Sequence, residues 1–431
     1  MELKESNGMS IIMPQKVAYI IDTLYERGYE AFAVGGCIRD SLLGIVPKDW
    51  DITTDALPTE IKHIFPHTVD TGIEHGTVTV IIDREGFEVT TYRIDGEYED
   101  ARHPKNVEFT SNLKLDLMRR DFTINAMAYN YKMGLVDEFD GEGDLKQGII
   151  RCVGDATKRF DEDALRILRA IRFSARFGFL IDEDTKEGIR SKSHLLCKIS
   201  AERIKAEMDK ILISKYPERL LFAAKNGVFD AVLIKVGDHL KTKDGENTID
   251  NIKKLHRLYL DSENVTDEKE LLAMCWTLLI YDYSLEDAKE HYKNLKSDNY
   301  LLKLSMALIK SKTETLLEDE YAIRKMANKM GVDIMPCIFL IRESVTKDEA
   351  QIDYIRRCEE IFERQLRNGY CMELKSMNIT GTELIQAGIK PGKNMGDILR
   401  HLLEHVLKNP KDNIRENLIN IALEYESKNL H

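Results

Sequence analysis

The hydrophobic period of this 431-residue chain changes once, and that change restricts its folds more than any other feature. Up to about Asn130, short β-prone runs alternate with helical segments; from Asp161 onward strand patterns nearly vanish and apolar residues recur at helical spacing. In the first part Val17, Ile20, Ile21 and Leu24 follow the i, i+3, i+4, i+7 pattern after Pro14, a residue favoured in a helix's first turn. Glu30–Val34, Trp50–Thr53, Thr77–Asp83 and Phe87–Arg93 read as strands, the last two joined as a hairpin by Arg84-Glu85-Gly86. Pro58–Phe65 reads as a short helix between the second and third. The expected fold is α+β: a small head with a mixed sheet, then an all-helical neck, body and tail, divided as 1–140, 141–210, 211–350 and 351–431. Lys241–Asn247 and Gly388–Gly396 have the Gly, Pro and Lys content of joints.

Several function classes drop out. The longest apolar run, Leu271–Tyr281, is broken by Thr277 and falls short of the ~20 residues that span a bilayer. Glu2, Lys4 and Glu5 do not open a signal peptide. Seven cysteines, an odd number without a Cys-x-x-Cys pair, fit a reducing cytoplasm better than a disulfide framework. A net charge of −12 argues against a protein that coats nucleic acid, but Lys and Arg outnumber Asp and Glu between Ala101 and Leu180. A polyanion would bind along a confined basic track.

The head carries the chemistry. Gly35-Gly36-Cys37-Ile38-Arg39-Asp40 follows an expected strand and opens a short helix; glycines there permit positive φ, close backbone approach and amides that face a phosphate. Such a turn by itself is more often ordinary turn chemistry. Asp49-Trp50-Asp51 begins the next strand, where residues i and i+2 share a face, so both carboxylates project together. Two carboxylates this close repel unless a divalent cation neutralises them, and Mg²⁺ takes such oxygens. An isolated pair would be a solvated strand start; beside a glycine turn and Arg39 it makes a nucleotide–metal site. Glu88, acidic in the β-prone run Phe87–Arg93, is either a third oxygen ligand or an exposed strand residue.

Gly-Gly-x-x-Arg-Asp with Asp-x-Asp resembles the DNA polymerase β-like nucleotidyltransferase superfamily. Arg119-Arg120-Asp121-Phe122-Thr123-Ile124-Asn125-Ala126 and Glu162-Asp163-Ala164-Leu165-Arg166 narrow the resemblance to class II tRNA nucleotidyltransferases (CCA-adding enzymes) and the related bacterial poly(A) polymerases. The match runs from Val34 to about Glu207 and resumes at Met377–Gly381 and Gly388–Asn409; Leu220–Tyr370 matches nothing by motif beyond being helical. The resemblance implies that Asp49 and Asp51 hold two Mg²⁺ ions during in-line attack of the RNA 3′-hydroxyl on the NTP α-phosphate. It implies that Gly36 and Arg39 contact the triphosphate, that Arg120 contacts the incoming nucleotide, and that Asp163 and Arg166 read the base. Asp95–Pro104 resembles the family's flexible loop, associated with the switch from C to A addition.

The base-reading role that the resemblance implies is also chemically reasonable: residues three apart on one helix are neighbours, so an acceptor carboxylate lies beside a donor guanidinium. That pair complements cytosine's N4 amine with N3 and O2, or adenine's N6 amine with N1, and neither uracil nor guanine offers the same pairing. Arg169, Arg172 and Arg176 continue around that helix; with Leu165, Leu168 and Ile171 in the core they would alone read as a solvated basic face, and in this motif context Arg169 and Arg172 read as nucleotide contacts. His401 and His405 stand i, i+4 without a third ligand and are not read as a zinc site. No adjacent His-Asp pair of the phosphohydrolase type is found, so no phosphatase activity is expected.

The leading expectation is therefore an enzyme that adds C, C and A to tRNA 3′ ends from CTP and ATP. An A-adding enzyme or a poly(A) polymerase shares every head motif. A non-catalytic tRNA-binding protein would not need the intact Asp49/Asp51 pair, and a transferase acting on small molecules would not need the helical tail. No membrane partner is expected, and the sequence identifies no protein partner.

Overall fold

The computed structural model describes residues 11–96, 107–392 and 394–429. The loop expected at Asp95–Pro104 lies, from Glu97 on, outside the described residues. The chain forms two compact units, Met1–Glu246 and Asn247–His431.

The first unit is built on a seven-stranded sheet. Helix α1 (Gln15–Glu26) buries Val17, Ile20, Ile21 and Leu24, the stripe its periodicity predicts. Strand β1 (Ala31–Val34) is buried along its whole length, as its unbroken Ala-Phe-Ala-Val requires of a central strand. It feeds α2 (Gly36–Leu42), and the chain returns as β2 (Asp51–Thr54), paired antiparallel with β1. After α3 (Pro58–Ile64) come β3 (Thr68–Gly72), β4 (Thr77–Ile82) and β5 (Glu85–Thr91). β6 (Arg93–Asp95) and β7 (Val107–Phe109) form a separate ribbon, and α4 (Leu113–Met118) leads to β8 (Met127–Asn130) and β9 (Gly134–Asp137). The large sheet has the order β3-β4-β5-β2-β1-β8-β9, with β2 and β5 its parallel pair.

Three expectations change here. The hairpin turns at Asp83-Arg84, both at positive φ (49° and 68°), instead of at Arg84-Glu85-Gly86. Gly86 stands in the strand opposite Ile81, where a Cβ would come within 2.9 Å of Thr79 Cγ2. Asp49 and Trp50 precede β2, which starts only at Asp51. Strands β3, β8 and β9 were not expected. Ala and Met in β8 have little strand propensity, and its burial between β1 and β9 overrides it.

Beyond the sheet follow α5 (Gly141–Gln147), α6 (Ala156–Glu162), α7 (Leu165–Phe177), α8 (Glu183–Lys192) and α9 (Ala201–Leu212). Asp163 therefore does not share a helix with Arg166. It is the extended residue that ends α6 (φ −141°, ψ 101°), and its Oδ1 accepts the Leu165 amide at the start of α7. An Asp free to bond a nearby amide favours such a junction over a helix interior. In α7 the apolar face of Leu165, Leu168, Ile171 and Ala175 is buried, and the arginines follow the other side.

The second unit is helical. Asp267, Asp298, Asp319 and Asp348 each accept an amide in the first turn of the helix they precede, which fixes where Glu268–Leu279, Asn299–Ser311, Glu320–Met330 and Glu349–Arg367 begin. Glu268–Leu279 is buried around most of its circumference, Trp276 included. In the tail, Leu384, Ile389, Leu402, Val406, Leu418 and Ala422 make one apolar cluster. Gly388–Gly396, expected as a joint, connects two helices of this cluster, and Lys241–Asn247 is helical from Lys243 onward. Among the described residues no helix is long and apolar enough to cross a membrane.

Candidate active site

Where β1 meets α2, Gly35 has φ +80° and ψ −124°, a backbone conformation other residues rarely hold. A Cβ on Gly35 would lie 3.1 Å from Arg120 Nη1, and one on Gly36 would lie 3.5 Å from Arg39 Nη2. The two glycines thus let two guanidinium groups lie against the backbone.

Arg39 is buried and fixed on several sides. Its Nε and Nη2 reach Asp40 Oδ1 (2.8 and 2.7 Å), its Nη1 donates to Asn125 Oδ1, and its guanidinium lies 5.0 and 5.1 Å from the ring centres of Phe173 and Phe177. Asn125 Nδ2 donates to Asp121 Oδ1 (3.0 Å), and Asp121 Oδ2 accepts from Arg169 Nε and Nη2 (2.8 and 2.6 Å). Asp40 Oδ2 accepts from Arg176 Nη2 (3.0 Å). The circuit Arg169–Asp121–Asn125–Arg39–Asp40–Arg176 begins and ends on α7 and ties the glycine turn to it. Burial alone would raise the Asp121 carboxyl, but Arg169, Asn125 and Arg166 outweigh it and hold it at about 2.

Asp116 organises the other wall. It is wholly buried; Oδ1 accepts from Arg119 Nε and Nη2 (2.9 and 2.8 Å), and Oδ2 accepts from Thr53 Oγ1 (3.2 Å) and Arg120 Nη2 (3.3 Å). Burial pushes its carboxyl up, but Arg120 and Arg119 bring it below the usual range. Arg120 Nε is sealed from solvent with no hydrogen-bond partner among the described residues, so one donor of the site is unsatisfied without a ligand.

The acidic patch lies on the sheet. In the parallel pair, Ile52 faces Val89, and one register step earlier Asp51 comes beside Glu88 on the same face. Asp51 is reachable by water yet set among protein atoms; burial raises its pKa, Asp49 raises it further, and Arg120 opposes both. Burial, then Asp51 and Asp49, raise Glu88. The three repel one another, but they do not converge: among the described residues no group of three or more His, Cys, Asp or Glu is placed to hold one metal ion. Glu88 sits on the neighbouring strand, roughly 4.8 Å across the sheet, and adds negative charge without completing a three-residue ligand set.

A cavity of about 420 Å³ opens between these walls. It brings together Gly36, Arg39, Asp51, Arg120, Asp163, Arg166 and Arg169 of the expected site, and adds Arg119, Asp121, Asn125, Phe173 and Arg203. Asp163 Oδ2 accepts from Arg203 Nη2 (3.0 Å). Arg166 lines the cavity with its donors engaged: Nη1 to Glu162 Oε2 (2.6 Å) and Arg159 O (3.2 Å), Nη2 to Arg119 O (2.9 Å). Arg172 does not line it, because buried Glu207 on α9 holds its Nε. Asp49 and Glu88 also stand outside the lining; Asp49 acts on Asp51 through charge, and Asp49 and Asp51 both act on Glu88. Asp121 and Asn125 were legible only as letters of a motif, and Arg203 gave no sequence signal, since its partner Asp163 is forty positions away.

The sheet, the glycine turn and the guanidinium-lined cavity together define a nucleotidyltransferase head. Residues 31–151 match the family model "Poly A polymerase head domain", 178–233 match "Probable RNA and SrmB- binding site of polymerase A", and 268–422 match a tRNA nucleotidyltransferase domain 2. A CCA-adding enzyme of Ligilactobacillus salivarius is 38% identical over 399 residues, 90% of this chain and 91% of the relative. One from Bacillus pumilus is 49% identical over 202 residues, 47% of this chain and 50% of its own. The crystal structure of the Bacillus stearothermophilus CCA-adding enzyme in complex with CTP superposes with TM-score 0.79 at 27% identity, covering 97% of this chain and 99% of that one. The Thermotoga maritima CCA-adding enzyme complexed with tRNA gives 0.68 at 25% identity, with 96% and 97% covered. This chain belongs to the CCA-adding enzyme family.

Proposed function

We propose that the protein adds C, C and A to the 3′ end of tRNA from CTP and ATP, without a nucleic-acid template and with release of pyrophosphate. One observation carries the reading: six arginines and three aspartates line a single cavity whose edge is Asp51. A triphosphate brings the negative charge that this excess of guanidinium lacks, and Arg120 Nε is an unpaired donor there. Gly36 and Arg39 hold the triphosphate, and Arg120 contacts the nucleotide. Arg169, locked by Asp121, gives that wall a fixed positive charge.

Asp49 and Asp51 fit Mg²⁺: hard oxygens that repel each other, one of them with a raised pKa, in a site where substrate phosphates and water complete the shell. When bound, the metal lowers the pKa of the RNA 3′-hydroxyl and stabilises charge on the leaving pyrophosphate. The carboxylate of Asp163 accepts the exocyclic amine of cytosine or adenine while the Arg203 hydrogen bond orients it. Arg166 offers donors to the ring acceptors, and to do so it exchanges its bonds to Glu162 and the Arg159 carbonyl. Head, neck, body and tail take residues 1–140, 141–210, 211–350 and 351–431, and the helical parts hold the tRNA acceptor arm, a reading supported by the tRNA complex of the Thermotoga relative. Seven free thiols suit work in a reducing cytoplasm.

The test uses tRNA lacking its last three nucleotides. CTP alone should extend it by two residues and CTP with ATP by three, with no addition from UTP or GTP. Addition of ATP only after a preformed CC end would make the protein an A-adding enzyme, and long A tracts would make it a poly(A) polymerase.

A further inference from the structure

The helical unit holds a second cavity, of about 300 Å³, that the nucleotide chemistry does not use. Its walls include Tyr281, Lys312, Glu314, Arg342, Gln351 and Tyr354. These come from the segment after helix Glu268–Leu279, the end of helix Asn299–Ser311, and helices Met335–Val345 and Glu349–Arg367.

Its donors outnumber its acceptors. Arg342 Nη2 donates to the carbonyls of Ser311 and Glu314 (2.7 and 2.6 Å), which fixes the guanidinium and leaves Nε and Nη1 without a partner among the described residues. Among the described residues no carboxylate makes an ion pair with Arg342, and burial lowers its pKa against weaker opposing charges that include Glu314. Lys312 Nζ donates to the Tyr281 carbonyl and lies 4.3 Å from the Tyr281 ring centre, with exposed Asp282 at 3.5 Å. Among the described residues the Tyr281 hydroxyl has no hydrogen-bond partner, and the nearby Arg342 charge acts on it. Tyr354 is committed, donating to Leu316 O (3.1 Å) and accepting from the Glu318 amide (3.0 Å). The one carboxylate in the lining, Glu314, gives both oxygens to Lys329 (2.7 Å each).

Two cations and a free phenol therefore face one space whose carboxylate is already neutralised. A desolvated guanidinium without a counter-ion is unfavourable until an anion arrives. Arginine's planar fork and a hydroxyl match a tetrahedral oxyanion. We propose that this cavity binds a phosphoryl anion, contacted by Arg342 Nε and Nη1, Lys312 Nζ and the Tyr281 hydroxyl. The phosphoryl group belongs either to the RNA backbone or to a free inorganic phosphate or pyrophosphate.

The full-length protein tests it with three probes: inorganic phosphate, pyrophosphate, and tRNA lacking its three terminal nucleotides. Tyr281→Phe removes only an unpartnered hydroxyl and leaves packing intact; Lys312→Gln removes one charge; Arg39→Gln controls for the head cavity. If the occupant is a free anion, calorimetric affinity for phosphate or pyrophosphate falls about tenfold in Lys312→Gln and about threefold in Tyr281→Phe, and this binding survives Arg39→Gln. If it is an RNA phosphate, tRNA affinity falls in both variants, and the slope of log affinity against log salt flattens by roughly 0.7–0.9 in Lys312→Gln. Either result supports the site. Titrations with all three probes that are the same in both variants as in the parent protein overturn it. The tRNA arm rests on the proposed function and the inorganic arms do not, so failure of that reading shows separately in the addition assay.

Discussion

Asp121→Asn should uncouple the head cavity from α7. A carboxyl held at about 2, against an ordinary 3.8, carries roughly 2–3 kcal/mol of native-state preference for its ionised form. The substitution keeps the shape and leaves Arg169 without its counter-ion. Because the Arg169 side chain is 34% exposed, water compensates in part. The expected destabilisation at pH 7 is therefore about 2 kcal/mol, below the 3–5 typical of fully buried pairs. The chain has two tryptophans, Trp50 in the first unit and Trp276 in the second. In a Trp276→Phe background, Trp50 fluorescence during urea unfolding reports the head alone. The pKa is depressed, so the contribution is complete above the unfolded value near 3.8 and is lost as pH falls through about 2. The gap between parent and variant should be constant above pH ~5 and about 1 kcal/mol smaller at pH 3. CTP affinity should fall as well, since Asn125 and Arg39 lie on the same circuit. A gap below about 0.5 kcal/mol at pH 7, or one indifferent to pH, would refute the reasoning.

Asp49→Ala or Asp51→Ala should cut nucleotide addition by at least ~10³-fold, because each removes a charged metal ligand whose stabilisation of the transition state is worth several kcal/mol. Circular dichroism and tRNA binding should stay near those of the parent, and near-normal turnover at saturating Mg²⁺ would sink the assignment. Gly35→Ala puts a Cβ into a φ of +80° and 3.1 Å from Arg120 Nη1, so it should cost about 1–3 kcal/mol in the first unit and raise KM for CTP and ATP together. An unchanged KM for both would show that the Gly35–Arg120 contact has no part in binding. Arg203→Gln should weaken discrimination between CTP and UTP with little effect on Mg²⁺ dependence, since Arg203 meets Asp163 and, among the described residues, no carboxylate of the sheet. Equal loss for all four nucleotides would make Arg203 a general phosphate contact.

The local chemistry of this fold was legible, and its long-range pairings were not. Val17, Ile20, Ile21 and Leu24 announce α1 by spacing, and the unbroken Ala31–Val34 announces a buried strand. Met127–Asn130 carries no strand signal, because its conformation comes from the neighbours β1 and β9. The site divides in the same way. Gly35, Gly36, Arg39 and Asp51 were readable because one turn and one strand start place them. Arg172, read as a nucleotide contact, lies outside the cavity lining with its Nε on Glu207, a partner 35 residues away that the sequence did not announce. Asp163 and Arg166 were placed on one helix by their spacing, whereas the amide of Leu165 draws Asp163 into the junction. Both still line the cavity.

The central claim is that protein side chains stand in for a template base, and kcat/KM for all four NTPs on one tRNA substrate tests it most directly. A bidentate contact to a base discriminates by roughly 1–3 kcal/mol, about 5- to 150-fold. Asp163→Ala should lower kcat/KM for CTP and ATP within that range and raise the relative use of UTP, because the acceptor for the exocyclic amine is gone. If α7 and its approach merely position RNA phosphates, the same variant loses tRNA affinity while every nucleotide ratio stays put. A CTP:UTP ratio unchanged from the parent enzyme would contradict the account.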